Sequence, residues 1–186
     1  MRVISGSAKG RKLYAPKSHN IRPALDKVKG AIFNILFDVT GLKVLDLFAG
    51  TGAVGIEALS RGAAHCTFVD MSNEAVTIIK KNIELCRFEE SALLFPKRVD
   101  IAVEYFGKHN QKFDMIFVDP PYLKGLVNPT LQMIADQNIL QESGKIIVEH
   151  SPKEPITPPH SLILSDSRKY GQTLITFLEL SHHRTI

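Results

Sequence analysis

The chain has 186 residues, 44% of them apolar and 23% charged, with a formal net charge of +4. That is enough to bury one full α/β core and near the usual size of a single domain. It holds no apolar run of about 18 residues, and Met1-Arg2-Val3-Ile4-Ser5-Gly6-Ser7 lacks the apolar stretch of a secretory leader. Neither a membrane span nor secretion is therefore expected, and a cytoplasmic location is. Cys66 and Cys86 are the only cysteines and show no paired ligand spacing, nor do the seven histidines. Both thiols read as small buried hydrophobes, and no metal site is expected. His182-His183 sit in a polar terminus, where disorder is the expectation.

In chain order, Arg2 to Ser5 and Arg11 to Ala15 read as a short hairpin across Gly6-Ser7-Ala8-Lys9-Gly10, ended by Pro16. Leu25, Val28, Ile32, Ile35 and Leu36 recur at helical spacing, predicting an amphipathic helix over 24–37. Strands near 43–48, 65–70, 92–96, 113–118 and 143–149 then alternate with helices near 53–61, 73–86, 99–107 and 127–137. Such alternation predicts a doubly wound α/β sheet, mostly parallel, with right-handed crossovers. Pro152, Pro155, Pro158 and Pro159 mark a loop, and strands near 161–165 and 172–180 are expected to add an antiparallel edge pair. The expected organisation is one compact body in two parts, a basic hairpin plus helix over 1–40 and the main α/β domain over 41–186.

Charge separates those parts. Residues 1–40 carry eight Lys/Arg (Arg2, Lys9, Arg11, Lys12, Lys17, Arg22, Lys27, Lys29) against Asp26 and Asp38, a net of +6, whereas residues 41–186 carry fifteen against seventeen acids, a net of −2. A basic appendage on a near-neutral core is what a phosphate-backbone contact surface looks like. A solvated face that serves only solubility is the competing reading.

Lys43 to Leu59 reads as a buried strand, a glycine turn and a helix opening, with Gly50, Gly52 and Gly55 fitting G-x-G-x-x-G. Asp70 ends the next apolar run twenty positions after Gly50, where an acid takes ribose hydroxyls. Two ligand classes compete for such a loop. A dinucleotide brings a pyrophosphate that wants backbone N–H groups. S-adenosylmethionine brings a sulfonium and an ammonium, both cationic, and favours a carboxylate at the end of the first strand. Asp46 is that carboxylate, although an acid there also suits a turn or helix cap. Asp100, soon after the third strand, is placed to accept from an adenine amino group with Ile101 as an apolar wall, or else to cap a helix.

Asp119-Pro120-Pro121-Tyr122 follows the apolar run Phe113 to Val118 and puts an acceptor, a rigid bend and a ring at one strand end. The exocyclic amine of a nucleobase is a weak nucleophile, because its lone pair is delocalised, and a catalyst must hold it while it attacks. Asp119 offers a carboxylate to its N–H groups and Tyr122 a face for the base. An ordinary Pro-Pro turn is the bland alternative. Together with the glycine loop, the motif favours methyl transfer.

With these residues in view, the chain resembles the RsmD-type 16S rRNA (guanine-N2)-methyltransferase family, nearly end to end. The resemblance rests on Arg2-Val3-Ile4-Ser5-Gly6 with Gly10-Arg11, on Arg22 to Lys29 leading into Phe33-Asn34-Ile35-Leu36, and on Asp46 to Gly52. It also rests on Asp119 to Tyr122 with Lys124-Gly125-Leu126, and on Lys169-Tyr170-Gly171-Gln172-Thr173. Departures are Ala24 for a common threonine, Lys27 and Lys29 for arginines, and Gly30 for an acid. Lysine keeps the charge but loses the bidentate fork.

The resemblance implies a Rossmann-like enzyme that methylates the N2 amine of a 16S rRNA guanine, guanine 966 in the usual rRNA numbering. The base is flipped out, its amine is held by Asp119 and the Pro120 carbonyl, and Tyr122 stacks on it. The expected cofactor residues are Asp46, Phe48, Ala49, Gly50, Gly52, Asp70, Met71, Asp100 and Ile101, and the RNA contacts expected from the basic segment and the loop after Asp119 are Lys9, Arg11, Lys12, Arg22, Lys27 and Lys124. The expected partner is 16S rRNA, free or within an assembling 30S subunit, with no membrane partner and a monomeric enzyme. Three other readings compete: an adenine-N6 DNA methyltransferase, a protein glutamine-N5 methyltransferase, and a non-catalytic RNA-binding module.

Overall fold

A buried carboxylate organises the N-terminal part of the chain. The computed structural model describes residues 1–16, 23–36 and 38–181, and the chain forms two compact units, Met1–Val99 and Asp100–Ile186. In the first unit come α1 (Pro23–Leu36), β1 (Lys43–Leu47), α2 (Ala53–Ser60), β2 (His65–Val69), α3 (Asn73–Cys86) and β3 (Ala92–Phe95). Its strands lie in the order β3-β2-β1 and pair in parallel, Val44 opposite Cys66 and Cys66 opposite Ala92. Apolar runs fit this arrangement because β1 and β2 are covered on both faces, and Val44, Leu45, Leu47, Cys66, Phe68 and Val69 are all buried.

Glu57 of α2 is fully buried and accepts from the Ile4 N–H (2.8 Å) and the Ser5 N–H (3.1 Å). Lys29 Nζ of α1 lies 3.3 Å from it and Arg61 Nε 2.8 Å. Lys29 is thus a buried cation, also donating to the Arg2 carbonyl; it does not belong to the basic surface in which its charge was counted. Three residues on, Ser60 accepts from the Ala8 N–H and donates to the Ser5 carbonyl. Only glycine passes this point: a Cβ on Gly6 would lie 1.6 Å from the Ser60 carbonyl oxygen. The expected hairpin is present but short: around the antiparallel bridge of Arg2 with Lys12, the Val3 N–H donates to the Arg11 carbonyl (3.0 Å), the Gly10 N–H to Val3 (2.8 Å) and the Leu13 N–H to Met1 (3.2 Å), while Ile4, Ser5, Ala8 and Tyr14 turn their N–H groups to α2 and α3.

The second unit holds α4 (Val99–Lys108), which starts at the boundary, then β4 (Phe113–Val118), α5 (Val127–Asp136), β5 (Leu140–His150), β6 (Leu162–Tyr170) and β7 (Thr173–Leu180). Here β4 and β5 are parallel, whereas β5/β7 and β6/β7 are antiparallel, in the order β4-β5-β7-β6. The mostly parallel α/β sheet with an antiparallel C-terminal end agrees with expectation. Two strands are longer than expected. β5 starts at Leu140 because its register shifts from Phe113/Leu140 to Met115/Lys145, so a polar Gln141-Glu142-Ser143 bulge interrupts the apolar pattern. β6 runs on to Tyr170 through the polar, largely exposed stretch Ser165 to Lys169, as an edge strand can. The expected helix 24–37 is α1, with Phe37 outside the described residues, as are His182 and His183.

Removing one partner of a buried charge cluster leaves the others uncompensated, at a cost of about 3–5 kcal/mol. Glu57→Ala should therefore lower unfolding stability by about that amount in urea denaturation, with the N-terminal segment the first part to become protease-sensitive. A variant as stable as the wild type would remove Glu57 from this role.

Candidate active site

The glycine turn of the first unit is built from residues that reverse the chain by left-handed conformations. Phe48, Gly50 and Gly52 have φ of 62°, 56° and 74°. Gly52 caps the start of α2, and its N–H closes on the Ala49 carbonyl at 2.7 Å. Ala49, buried, donates its N–H to the Val69 carbonyl at 2.9 Å, which ties the turn to the end of β2. Gly55 has a packing reason: a Cβ there would meet Phe68 Cε1 at 2.3 Å and Cys66 Sγ at 2.6 Å. The third glycine lets α2 lie directly on β2.

Two carboxylates then take the turn's amide groups. Asp46 Oδ2 accepts from the Gly55 N–H at 3.1 Å. Asp70 Oδ2 accepts from the Gly50 N–H at 2.9 Å, and Oδ1 from the Ser72 N–H at 2.9 Å. Asp46 is only 3% exposed. Burial pushes its carboxyl up to about 7, against the Gly55 N–H and with the Asp70 charge adding to the rise.

This donor set fits a cation and not a pyrophosphate. The N–H groups that a dinucleotide's phosphates would take are already spent on carboxylates, and those carboxylates repel an anion. A positively charged ligand relieves the electrostatic strain on Asp46, and the second Asp70 lone pairs remain available to hydroxyls. Met71, beside Asp70, is 72% exposed and presents an apolar side chain next to this carboxylate. Asp100 lies in the first turn of α4, where Oδ1 accepts from the Ile101 N–H, and Ile101 is about half exposed.

In the second unit, Asp119 follows β4 with its side chain exposed while Pro120 is buried. The Tyr122 ring is 41% exposed, yet its phenol is tied down. The OH donates to Glu149 Oε1 of β5 at 2.9 Å and lies 2.8 Å from Thr173 Oγ1 of β7. Burial first, and the neighbouring carboxylates after it, push the Tyr122 phenol up; burial likewise raises Glu149. Tyr122 is accordingly a neutral donor at all ordinary pH. The following loop is clamped as well, since Glu154 takes the Leu123 N–H (3.1 Å) and the Gly125 N–H (2.9 Å). Those amides converge because Leu123 and Gly125 both have left-handed φ, 59° and 64°. His150 Nδ1 in turn donates to the Glu154 carbonyl at 2.9 Å. The strand-end loop is a preformed support that presents one ring face and one carboxylate.

Of the expected RNA contacts, Lys9, Lys12 and Lys124 are exposed. Arg11 is not free on the hairpin surface: it is half-buried, and its guanidinium donates to the Leu85 carbonyl. Arg22 lies outside the described residues, as does the side chain of Lys27. Both cysteines are buried and free. Among the described residues no His/Cys/Asp/Glu group is arranged to hold a metal, and no helix is long and apolar enough to cross a membrane. Sequence reading missed Asn82, Glu149 and Glu154. Asn82 alone left a signal, a polar residue on the apolar stripe Ile78, Ile79, Ile83 and Cys86 of α3.

Residues 1–179 match the family described as Conserved hypothetical protein 95. The Bacillus subtilis (strain 168) protein YlbH, provisionally titled an rRNA methyltransferase, is 40% identical over 178 residues, 93% of this chain and 95% of its own. Ribosomal RNA small subunit methyltransferase D of Escherichia coli (strain K12) is 32% identical over 174 residues, 92% of this chain and 86% of its own. Among solved structures, Escherichia coli yhhF, provisionally titled a methyltransferase, matches with a TM-score of 0.84 at 28% identity, over 98% of this chain and 99% of its own.

The Asp46 carboxyl gives a pH signature. Its folded value, about 7, lies above the ordinary 3.8, so the folded state binds the proton more tightly. The wild type therefore loses stability as pH rises from about 4 to about 7 and changes no further above that. Asp46→Asn keeps an acceptor for Gly55 and removes the ionisation. Its stability relative to wild type should climb across that window, by at most about 4 kcal/mol, and then plateau. A difference that stays constant from pH 4 to 8 in urea titrations would contradict the burial assigned to Asp46.

Proposed function

Since the chain belongs to the Conserved hypothetical protein 95 family of RsmD-type methyltransferases, we propose that it methylates the exocyclic N2 amine of a guanine in 16S rRNA, with S-adenosylmethionine as methyl donor. The chain has the Rossmann-like methyltransferase fold. The observation that carries the reading is the loss of the Gly50 and Gly55 amides to Asp70 and Asp46, which turns a nucleoside-binding glycine loop away from phosphate and toward a cation. S-adenosylmethionine, when bound, supplies an electrophilic methyl on a sulfonium. Asp46 balances the cofactor's positive charge, Asp70 takes its ribose hydroxyls, and the Gly50 to Gly52 turn leaves the backbone bare beneath it. Phe48, Ala49 and Met71 border that turn, and Asp100 and Ile101 are proposed from the sequence alone as the adenine contacts.

On the acceptor side, Asp119 and the Pro120 carbonyl hold the amine by its N–H groups, so that its lone pair is oriented. Tyr122 stacks on the flipped base, a contact worth about 1–3 kcal/mol in nucleic-acid sites. Positioning carries most of the rate, with no covalent nucleophile. Lys9, Lys12 and Lys124 are the exposed cations that meet RNA phosphates, with Arg22 and Lys27 proposed from the sequence alone. Arg11 serves first as a strut to Leu85. The substrate is 16S rRNA, free or in an assembling 30S subunit, guanine 966 is the family's position, and the enzyme works as a cytoplasmic monomer. The basic segment over 1–40 acts as the docking part and 41–186 as the catalytic part.

Competing chemistries are disfavoured. A duplex-DNA adenine methyltransferase is disfavoured by relatives that match over about nine-tenths of this chain and are named for small-subunit ribosomal RNA, such as the one matched over 92% of it. A glutamine-N5 enzyme usually has Asn where this chain has Asp119. A non-catalytic RNA module has no use for the carboxylates at 46, 70 and 119. Incubation with methyl-labelled S-adenosylmethionine and, separately, 30S subunits, naked 16S rRNA, DNA or a release factor distinguishes them. Label should enter 16S rRNA and digest to N2-methylguanosine; label in DNA or protein alone would overturn the proposal.

Asp119→Ala should lose most of the transfer while binding S-adenosylhomocysteine normally, the pattern of an interaction made chiefly in the transition state. Asp70→Ala should do the reverse at the binding step, weakening S-adenosylhomocysteine by about 1–3 kcal/mol in calorimetry. Near-wild-type turnover in the first, or unchanged affinity in the second, would displace that residue from its role. Neutralising Lys9 and Lys12 should raise KM for RNA and flatten its salt dependence by about one log–log unit per lost phosphate contact.

A further inference from the structure

Asn82 is fully buried in α3, among Ile78, Ile79, Ile83 and Cys86. An amide in such a place costs free energy unless its bonds are made, and an apolar residue would pack there more simply. Asn82 makes three bonds, and they reach two separate segments. Oδ1 accepts from the Tyr14 N–H at 2.7 Å, while Nδ2 donates to the Tyr14 carbonyl at 3.0 Å and to the Thr51 carbonyl at 2.9 Å. Both amide donors and the acceptor are therefore used. Thr51 lies between Gly50 and Gly52 at the crest of the glycine turn, and its hydroxyl donates to Met1 Sδ at 3.4 Å. The main chain of Met1 is bonded to Leu13, directly before Tyr14.

The inner edge of the N-terminal segment is thus fastened at Tyr14 and Arg11 to α3, whereas Lys9, Lys12 and the Tyr14 ring, 53% exposed, face solvent. The second anchor of the segment, at Glu57 and Ser60 of α2, holds residues 4–8 and makes no bond to the turn. Among the described residues, the Asn82 amide joins the solvent-facing basic strand directly to the peptide that shapes the cofactor loop, and the Thr51 hydroxyl contact to Met1 Sδ is a second, longer and indirect link.

We propose that Asn82 is a positioning residue that couples the two ligand surfaces of this unit: by holding Tyr14 and Thr51 with one amide, it makes RNA docking on residues 9–14 and cofactor binding in the glycine turn favour each other. The inference rests on the RNA reading given above. Ordering either segment fixes the amide, and a fixed amide lowers the ordering cost of the other segment; linkage makes the effect reciprocal.

The test measures S-adenosylhomocysteine affinity by calorimetry with and without saturating naked 16S rRNA. RNA should tighten the wild type by about fivefold or more. Asn82→Ala should reduce that factor to below about twofold, whereas Ser60→Ala, which loosens the other anchor, should keep it. No coupling in the wild type, or full coupling in Asn82→Ala, overturns the proposal. A second measurement needs no variant to fold: hydrogen exchange of the Tyr14 amide in the wild-type chain should slow when S-adenosylhomocysteine alone is added. Slowed glycine-turn amides with an unchanged Tyr14 amide would overturn the coupling. If the wild type binds no RNA, the RNA reading fails, and the exchange result alone decides the link from Tyr14 to the turn.

Discussion

Asp46 and Asp70 occupy the amides of their own glycine turn, and that single electrostatic choice constrains everything the loop can bind. A G-x-G-x-x-G turn with free N–H groups is an anion site by construction. Here Gly55 and Gly50 give those N–H groups to the two acids, and the loop's polarity is inverted. The cost is visible in Asp46, whose buried carboxyl is pushed up to about 7. A protein that tolerates a strained carboxylate at its ligand loop retains free energy that a cationic ligand can recover.

The N-terminal segment depends on the same loop from the other side. Its net charge reads as a loose basic arm, but the structure sorts its cations by job. Lys29 is consumed by Glu57 and Arg11 by Leu85, which leaves Arg2, Lys9 and Lys12 outward-facing in the described part. Glu57, Ser60 and Asn82, none of them at the chemistry, decide where those lysines point. On the proposed RNA reading, positioning of the nucleic acid falls to buried polar residues, which are costly to remove one at a time.

What the sequence made legible followed from local pattern. Strands β2 and β4 stood out as apolar runs bounded by Asp70 and Asp119, acids that sit where a buried strand reaches solvent, whereas Asp46 lies within β1 and is buried. The third glycine, Gly55, was legible as a motif, but its reason lay in Phe68 and Cys66, on the next strand. β5 and β6 were shortened because the Gln141 to Ser143 bulge and the exposed Ser165 to Lys169 edge break the apolar pattern while keeping the backbone ladder. At the candidate site, Tyr122 was visible and its partners were not. Glu149, Thr173 and Glu154 come from sequence positions that only the sheet pairing and the proline-containing loop bring into reach. Lys29 and Arg11 misled for a related reason, since charge is counted in sequence without knowledge of which cations a fold will bury.

Proton linkage on cofactor binding tests most directly whether the glycine turn is built for a cation. At about pH 6.5 the cofactor's own amino group is already protonated, while much of Asp46 in the free protein still carries its proton. Titration calorimetry of S-adenosylmethionine in buffers of differing ionisation enthalpy should show release of a substantial fraction of a proton, and Asp46→Asn should abolish it. Binding with no proton exchange, or with net uptake, would mean that Asp46 does not sense the cofactor's charge and that the loop's inverted polarity serves the fold alone.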